Sequence, residues 1–477
     1  MFKRNYSTEK KGRGDNASSI VIETGPLLAS LRRVALPIAL QSIIAASLSL
    51  VDNVMVGMLG EKELAAVGMS TQIFFIHWMM LFGFTSGMTT FMSQLWGIQD
   101  LKSIRKTIGL AITACLAGGM LFFLPAMIVP DKIVGIFTDN ISAIEIGGQY
   151  VRIGAWTILF VSISVPISAA LRSTQQTRIP LFVSVLSFSL NTFMNYCLIF
   201  GHFGLPQLGI SGAAIATVIS RGLEVSLYLF LLLKSKNVLR GRLGEFFGIP
   251  REDAKRMFKN AIPTTLNETL WGVGTSAYVA AYGHISIVAM AAVQAGNTIN
   301  NMFILAGFSI GDAILIMVGQ RLGRNQYDYA YELAKKLLGV AVMAGVVGGV
   351  LLITLGRPLL NLFDFTTEGA KYAFLILCVY SAAMPLKLLA GANIVGTLRC
   401  GGDTAFAMRT EISCVWGIGV PLAFIGSLVL KCPVYVVVAM VQIEEAVKCI
   451  IVMLRFRSKK WVKNVIDDLS ITTEEIE

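Results

Sequence analysis

Seven acidic residues interrupt otherwise apolar stretches: Asp52, Glu224, Glu268, Asp312, Glu411, Glu444 and Glu445. A charge in hydrocarbon costs about 2.5–3.5 kcal/mol on insertion scales, so each of them needs a partner or a task. Asp52 is the most informative. Asn191 and Asn195 are four apart and share one helix face. On a helix rising about 1.5 Å per residue, Asp52 lies roughly 27 Å along the first apolar run, and Asn195 roughly 24 Å along the fifth from the same side. Thr217 comes roughly 12 Å in from the opposite side on the sixth. A carboxylate, two amide oxygens and a hydroxyl at compatible depths form a set of hard ligands for a small cation such as Na⁺, with Asp52, Asn191 and Asn195 at its centre. The carboxyl could carry a proton instead. The plainer alternative is interhelical hydrogen bonding, worth about 0.6–2 kcal/mol.

The second half offers a different inventory. Glu268 stands five residues after Pro263, and Asp312 enters from the opposite side. Both come out roughly 14 Å from the same membrane face, where they could form an acidic vestibule for cationic substrates. Trp78, Trp271 and Tyr278 could add aromatic faces that hold organic cations. Arg221 with Glu224, and Glu444 with Lys448, have the spacing of self-neutralising helix pairs. Arg172 and Arg399 precede short polar loops and read as topology anchors. Gly345 and Gly349 have the spacing of close helix packing. The seven cysteines are scattered without a CxxC, and the three histidines stand alone, so neither a metal centre nor a hydrolase triad is expected.

The elements that must position these groups are membrane helices. Of the 477 residues, 55% are hydrophobic and only 14% charged, with a mean hydropathy of +0.69. A soluble domain carries about a quarter charged residues, so this composition excludes a soluble enzyme. Apolar windows fall at 34–57, 66–95, 104–129, 143–171, 179–201 and 209–233, then at 259–283, 289–320, 332–356, 369–398, 405–430 and 433–455. Each is long enough to span a bilayer, which needs about 20 residues. The expected fold is therefore an all-α integral membrane protein of about twelve transmembrane helices. Of the basic residues in the connecting segments and at the span ends, 31 fall on the side of the termini and 5 on the other. That bias predicts a multi-pass protein with both termini cytoplasmic. The net charge of +11 is then topology and not a nucleic-acid footprint. The first 33 residues lack the pattern of a signal peptide, and the tail from Lys459 is polar with an acidic end.

Sliding the chain against itself by 226 residues pairs Pro37 with Pro263, Gly57 with Gly283, Ala65-Ala66-Val67 with Ala291-Ala292-Val293, and Gln94-x-x-Gly97 with Gln320-x-x-Gly323. One residue more pairs Leu171-Arg172 with Leu398-Arg399. Six spans per half is an even number, so the halves are parallel repeats related by an axis along the membrane normal. The expected organisation is a basic segment 1–33, a six-helix bundle 34–233, a linker 234–258, a second six-helix bundle 259–456 and a tail 457–477.

These residues resemble the multidrug and toxic compound extrusion (MATE) family of secondary transporters. The likeness is carried by Leu36-Pro37, by Val51-Asp52-Asn53-Val54-Met55-Val56-Gly57 and Leu64-Ala65-Ala66-Val67-Gly68, and by Ile210-Ser211-Gly212-Ala213-Ala214-Ile215-Ala216-Thr217. The Gly319-Gln320-x-x-Gly323 ending and the Leu398-Arg399-x-Gly-Gly-Asp403-Thr404 loop extend it to nearly the whole chain. The resemblance implies export of amphipathic, often cationic compounds from the cell across the plasma membrane by a monomer, in exchange for inward H⁺ or Na⁺ and without a cofactor. It also implies that Asp52 is the coupling residue of the first half. Some relatives carry Asp where Asn195 stands, so this chain has one titratable group there. A flippase for lipid-linked precursors of the wider superfamily is the alternative. The absence of a P-loop argues against direct use of ATP.

Overall fold

A computed structural model describes residues 24–138, 140–234, 237–360 and 366–470. Twelve long helices run through the described residues. The first six are α1 (Thr24–Gly57), α2 (Glu61–Ile98), α3 (Leu101–Ile128), α4 (Ile141–Ser173), α5 (Arg178–Phe200) and α6 (Gly209–Leu233). The second six are α7 (Arg251–Gly283), α8 (Ile287–Gly323), α9 (Tyr327–Leu360), α10 (Thr367–Leu398), α11 (Thr404–Val429) and α12 (Val434–Arg457). Ten are long and apolar enough by themselves to cross a membrane. The other two, α7 and α12, hold the buried Asn267, Glu268, Glu444, Glu445 and Lys448, which dilute their hydropathy.

Local chemistry sets several helix starts. Asp100, Asn140, Ser286 and Thr366 each accept a hydrogen bond from the backbone N–H three residues on, at 2.9–3.2 Å, satisfying a donor that the first turn leaves free. Gly345 and Gly349 do serve helix packing: a Cβ there would lie 2.5 Å from Pro385 Cα and 2.7 Å from the Ser381 carbonyl oxygen, so α9 and α10 meet backbone to backbone.

Two parts of the chain depart from the sequence reading. The segment expected as linker is partly helical: α7 begins at Arg251, and a short 3₁₀ turn at Leu243–Phe246 buries Phe246 and pairs Glu245 with Arg105 of α3 at 2.7 Å. The tail is not a free polar end through Ser470. Trp461, Ile466 and Leu469 are buried, the first among residues of the second half and the other two among residues of the first. Five apolar side chains in fourteen residues, three of them buried, were too sparse to register beside the long apolar runs.

The two halves meet in a reciprocal crossing. A Cβ at Gly97 on α2 would lie 2.3 Å from the Gln320 carbonyl oxygen on α8, and one at Gly323 would lie 2.1 Å from the Gln94 carbonyl oxygen. These are the repeat-matched glycines, each tucked against the other's helix, as a two-fold axis along the membrane normal requires. The fold is therefore two pseudo-symmetric six-helix bundles, with both described chain ends on one face, called here the terminal face.

Candidate functional site

In the first bundle, α1, α5 and α6 bring Asp52, Asn191, Asn195 and Thr217 into one hydrogen-bonded chain. Asn195 Nδ2 donates to Asp52 Oδ1 at 2.5 Å and to Asn191 Oδ1 at 3.1 Å. Asn191 Nδ2 donates to Thr217 Oγ1 at 3.3 Å, with Ser220 Oγ at 3.5 Å. Both asparagines are fully buried, whereas Asp52 is half-buried. Asn195 Oδ1 is buried and has no hydrogen-bond partner among the described residues. An orphaned acceptor beside a carboxylate is costly unless something fills it, because a buried unpaired polar atom loses about 1–3 kcal/mol. The donor set is thus oxygen-rich, which suits a small cation or a proton carried on Asp52. Arg221 stands one turn below Thr217 and is paired with Glu224 at 2.7 Å.

The second bundle is built differently. Tyr278 occupies the repeat position of Asp52, and its hydroxyl donates to Glu444 Oε2 at 2.5 Å. Lys448 Nζ lies 2.7 Å from Glu444, 3.4 Å from Glu445 and 3.8 Å from Glu411. Asn267 Nδ2 donates to Glu411 at 2.6 Å. The sequence offered only the Glu444–Lys448 half of this cluster. Nothing in the helical spacing of α12 could show that Glu411, from α11, turns toward the same ammonium.

Glu268 and Asp312 each have an arginine, so they do not form a bare acidic vestibule. Arg399 pairs with Glu268 inside the second bundle and also donates to Ser86 Oγ across the interface at 2.9 Å. Arg172 faces Asp312 across the interface at 3.9 Å. The expectation that Arg399 is a topology anchor is corrected by its burial: the side chain is only 1% exposed, and a count of charges by side cannot register that. Ser86 and Asp312 are themselves 226 apart, as Arg172 and Arg399 are 227 apart. The two cross-bundle contacts are therefore the same contact made twice, once with a hydroxyl and once with a carboxylate. A narrow cavity opens between them, lined by Phe82, Thr85, Ser86, Arg172, Asp312 and Leu315. Trp78 is exposed and Trp271 half-buried, flanking the α2–α7 contact where a Cβ at Gly272 would lie 3.7 Å from Met79 Cγ.

A polar clasp closes the terminal face. Gln94 Nε2 donates to the Cys400 carbonyl at 2.8 Å, and Gln320 Nε2 donates to the Ser173 carbonyl at 3.0 Å. Ser173 and Cys400 are again repeat-matched. Gln94 also holds the tail, donating to the Lys463 carbonyl at 3.2 Å and accepting from Val465 N–H at 2.8 Å. Gln320 accepts from Gln175 at 2.7 Å. Thr90 Oγ1 donates to the Arg399 carbonyl at 2.9 Å, and Arg324 to the Gly97 carbonyl at 2.5 Å.

Two matched helical bundles clasped at one face around a polar interface define a multi-pass membrane transporter, not an enzyme. The MatE family model matches residues 37–197 and 263–425, once in each half, and the chain belongs to that family. Over 430 residues it is 26% identical to an uncharacterized transporter, YisQ, of Bacillus subtilis (strain 168), covering 86% of this chain and 90% of the relative. It is 23% identical over 402 residues to a probable multidrug resistance protein, NorM, of Thermotoga maritima, covering 83% and 84%. Among solved structures it is similar to a MATE transporter in the straight conformation, with a TM-score of 0.83 at 15% identity over 91% of this chain and 97% of that one. A multidrug resistance MATE family transporter described as outward-facing gives a TM-score of 0.81 at 16% identity over the same shares.

Proposed function

We propose that the chain is a secondary antiporter of the plasma membrane that exports amphipathic, cationic organic compounds in exchange for inward H⁺ or Na⁺. It works as a monomer with both termini in the cytoplasm, a placement supported by the 31-to-5 distribution of basic residues. On that orientation the clasp at the terminal face makes the described state outward-facing. The observation that carries the reading is the Asp52–Asn195–Asn191–Thr217 chain, with its orphaned Asn195 Oδ1. Relatives named as multidrug resistance proteins support the substrate class.

Coupling requires each ligand to bind the two states differently. A cation at Asp52 would tighten α1 against α5 and α6 and favour release of substrate outside. Substrate loading from inside would favour loss of the cation. Aromatic side chains Trp78, Trp271 and Tyr278 supply ring faces for the substrate, with Glu268 and Asp312 as the acids nearest the interface.

The test uses purified protein in liposomes, with a fluorescent organic cation followed under an imposed pH gradient or an imposed Na⁺ gradient. Uphill movement under one gradient, lost in Asp52→Asn, identifies the antiporter and its ion. Asp52→Asn transporting uphill at the wild-type rate would overturn the assignment. Folded wild type that moves nothing under either gradient would direct attention to lipid-linked precursors.

A further inference from the structure

At the terminal face, α1 and α5 enclose a groove of ≈ 720 Å³ whose two walls are built alike. On α1, Arg32, Leu36 and Leu40 follow one another at intervals of four, so they share one stripe. On α5, Arg178, Phe182 and Val185 follow at intervals of four and three and share another. Each wall is cationic at the hydrocarbon boundary and apolar one to two turns deeper. Arg33 adds a third guanidinium at the mouth. All three arginines are exposed, and no ion pair is made to them among the described residues. The apolar side chains beneath are exposed too: Leu36 49%, Leu40 40% and Phe182 68%.

We propose that this groove is a binding site for one anionic glycerophospholipid, its phosphate held by Arg32, Arg33 and Arg178 and an acyl chain lying along Leu36, Leu40 and Phe182. Guanidinium forks match phosphate oxygens bidentately, and a zwitterionic lipid would set its own cation against three arginines. The chain's own N-terminal segment is a poor competitor. Residues 1–23 carry Lys3, Arg4, Lys10, Lys11 and Arg13 against Glu9, Asp15 and Glu23, which is 5 − 3, or +2. The end 471–477 carries three glutamates and is the competing occupant that the experiment must separate.

The site has a consequence for α1. Pro37 lines the groove and lacks the N–H that would brace the helix there, so α1 can bend at this level. The same region is tied to α5 by Thr177 Oγ1 donating to the Arg33 carbonyl at 3.0 Å. A lipid held across α1 and α5 adds a second tie at the end opposite the Asp52–Asn195 contact, on the helix that carries Asp52.

The test reconstitutes the full-length protein in phosphatidylcholine with or without phosphatidylglycerol and measures retained phosphatidylglycerol by native mass spectrometry. Each arginine near an anionic surface contributes about fivefold, so the triple variant Arg32→Gln, Arg33→Gln, Arg178→Gln should weaken retention on the order of 100-fold. Leu40→Trp, which fills the groove and leaves every charge in place, should also abolish it. The control Arg251→Gln, Lys255→Gln, Lys259→Gln removes as many exposed charges from α7 at the same face and should retain the lipid. The proposal fails if the control loses as much as the triple variant, which would mean bulk attraction only. It also fails if inorganic phosphate competes as well as the lipid, or if retention needs deletion of 471–477. Should the triple variant not fold, Leu40→Trp alone decides.

Discussion

Removing the paired glutamines should open the terminal face. In Gln94→Ala/Gln320→Ala five hydrogen bonds are lost: those of Gln94 to the Cys400 and Lys463 carbonyls and from Val465 N–H, and those of Gln320 to the Ser173 carbonyl and from Gln175. A net hydrogen bond is worth about 0.5–1.5 kcal/mol, and several here are only partly buried, so the sum is about 3 kcal/mol. The loss falls on the closed state alone, because separated bundles have no such contacts to lose. The ratio of closed to open molecules at this face should therefore fall roughly 100-fold. Single variants should each account for part of it, and the Gln94 variant should additionally free the 461–470 tail. Spin labels on α2 and α8 near Gly97 and Gly323, read as distance distributions in nanodiscs, measure the shift directly. Distances unchanged from wild type in a folded double variant would refute the clasp. A change from Gln94→Ala with none from Gln320→Ala would mean that the tail and not the symmetry holds the face shut.

Other outcomes follow from the same contacts. Lys448→Met leaves Glu411, Glu444 and Glu445 around a vanished ammonium. Breaking a buried pair on one side costs about 3–5 kcal/mol, so thermal unfolding in detergent should drop sharply, and Lys448→Arg should recover part of it. Gly419→Ala would place a Cβ 2.2 Å from Tyr278 Oη and 2.6 Å from Glu444 Oε2. It should cost about 1–3 kcal/mol, while Gly419→Ala in a Tyr278→Phe background should cost less, which a double-mutant cycle of unfolding midpoints reads. Outside the membrane, the Arg242 backbone N–H and the Arg105 guanidinium hold the Glu245 carboxyl below its ordinary range. A depressed carboxylate stabilises above its unfolded pKa of about 4.3 and loses that contribution as pH falls through the lower folded value. Protection of the amides at 243–247 relative to their intrinsic exchange should therefore fall only in acid, and any change in transport between pH 5 and 8 must arise elsewhere.

The fold was legible because its signals are periodic and long. Twelve apolar runs and a constant offset between halves define two bundles without any contact being known. The first-bundle site was legible for a related reason: Asn191 and Asn195 share a face, and depth counted along straight helices brings Asp52 and Thr217 to them. The second bundle was not, because its chemistry depends on rotation about helix axes. Whether Glu411 faces Lys448, or Arg399 turns inward to Glu268, is decided by packing that no spacing rule contains. Gln94 and Gln320 stood in plain view as repeat matches. Their reciprocal clasp could have been foreseen by asking what a two-fold axis does to two matched donors.

The comparison of matched positions separates what the halves share from what they do not. The shared features are at the interface: Gly97 with Gly323, Gln94 with Gln320, and the carbonyls of Ser173 with Cys400. Within the bundles the chemistry diverges, with Asp52 against Tyr278, and one interface pair differs as well, Ser86 against Asp312. A rocking motion about a common axis demands equal surfaces on the two sides of the crossing, and the matched residues are those surfaces. It makes no demand on what each bundle encloses. The second bundle encloses a lysine already surrounded by carboxylates, and its own unmet amide oxygen, Asn267 Oδ1, sits beside Glu411, whose carboxylate is 3.8 Å from that ammonium. The unmet Asn195 Oδ1 of the first sits instead beside Asp52, a half-buried carboxylate with no ion pair among the described residues. On the proposed reading, an exchangeable cation is expected at the carboxylate without a fixed positive partner, Asp52. Ion-dependent changes should therefore appear as altered hydrogen exchange in α1, α5 and α6 and leave α7, α11 and α12 unmoved, and the opposite pattern would place the coupling site in the wrong bundle.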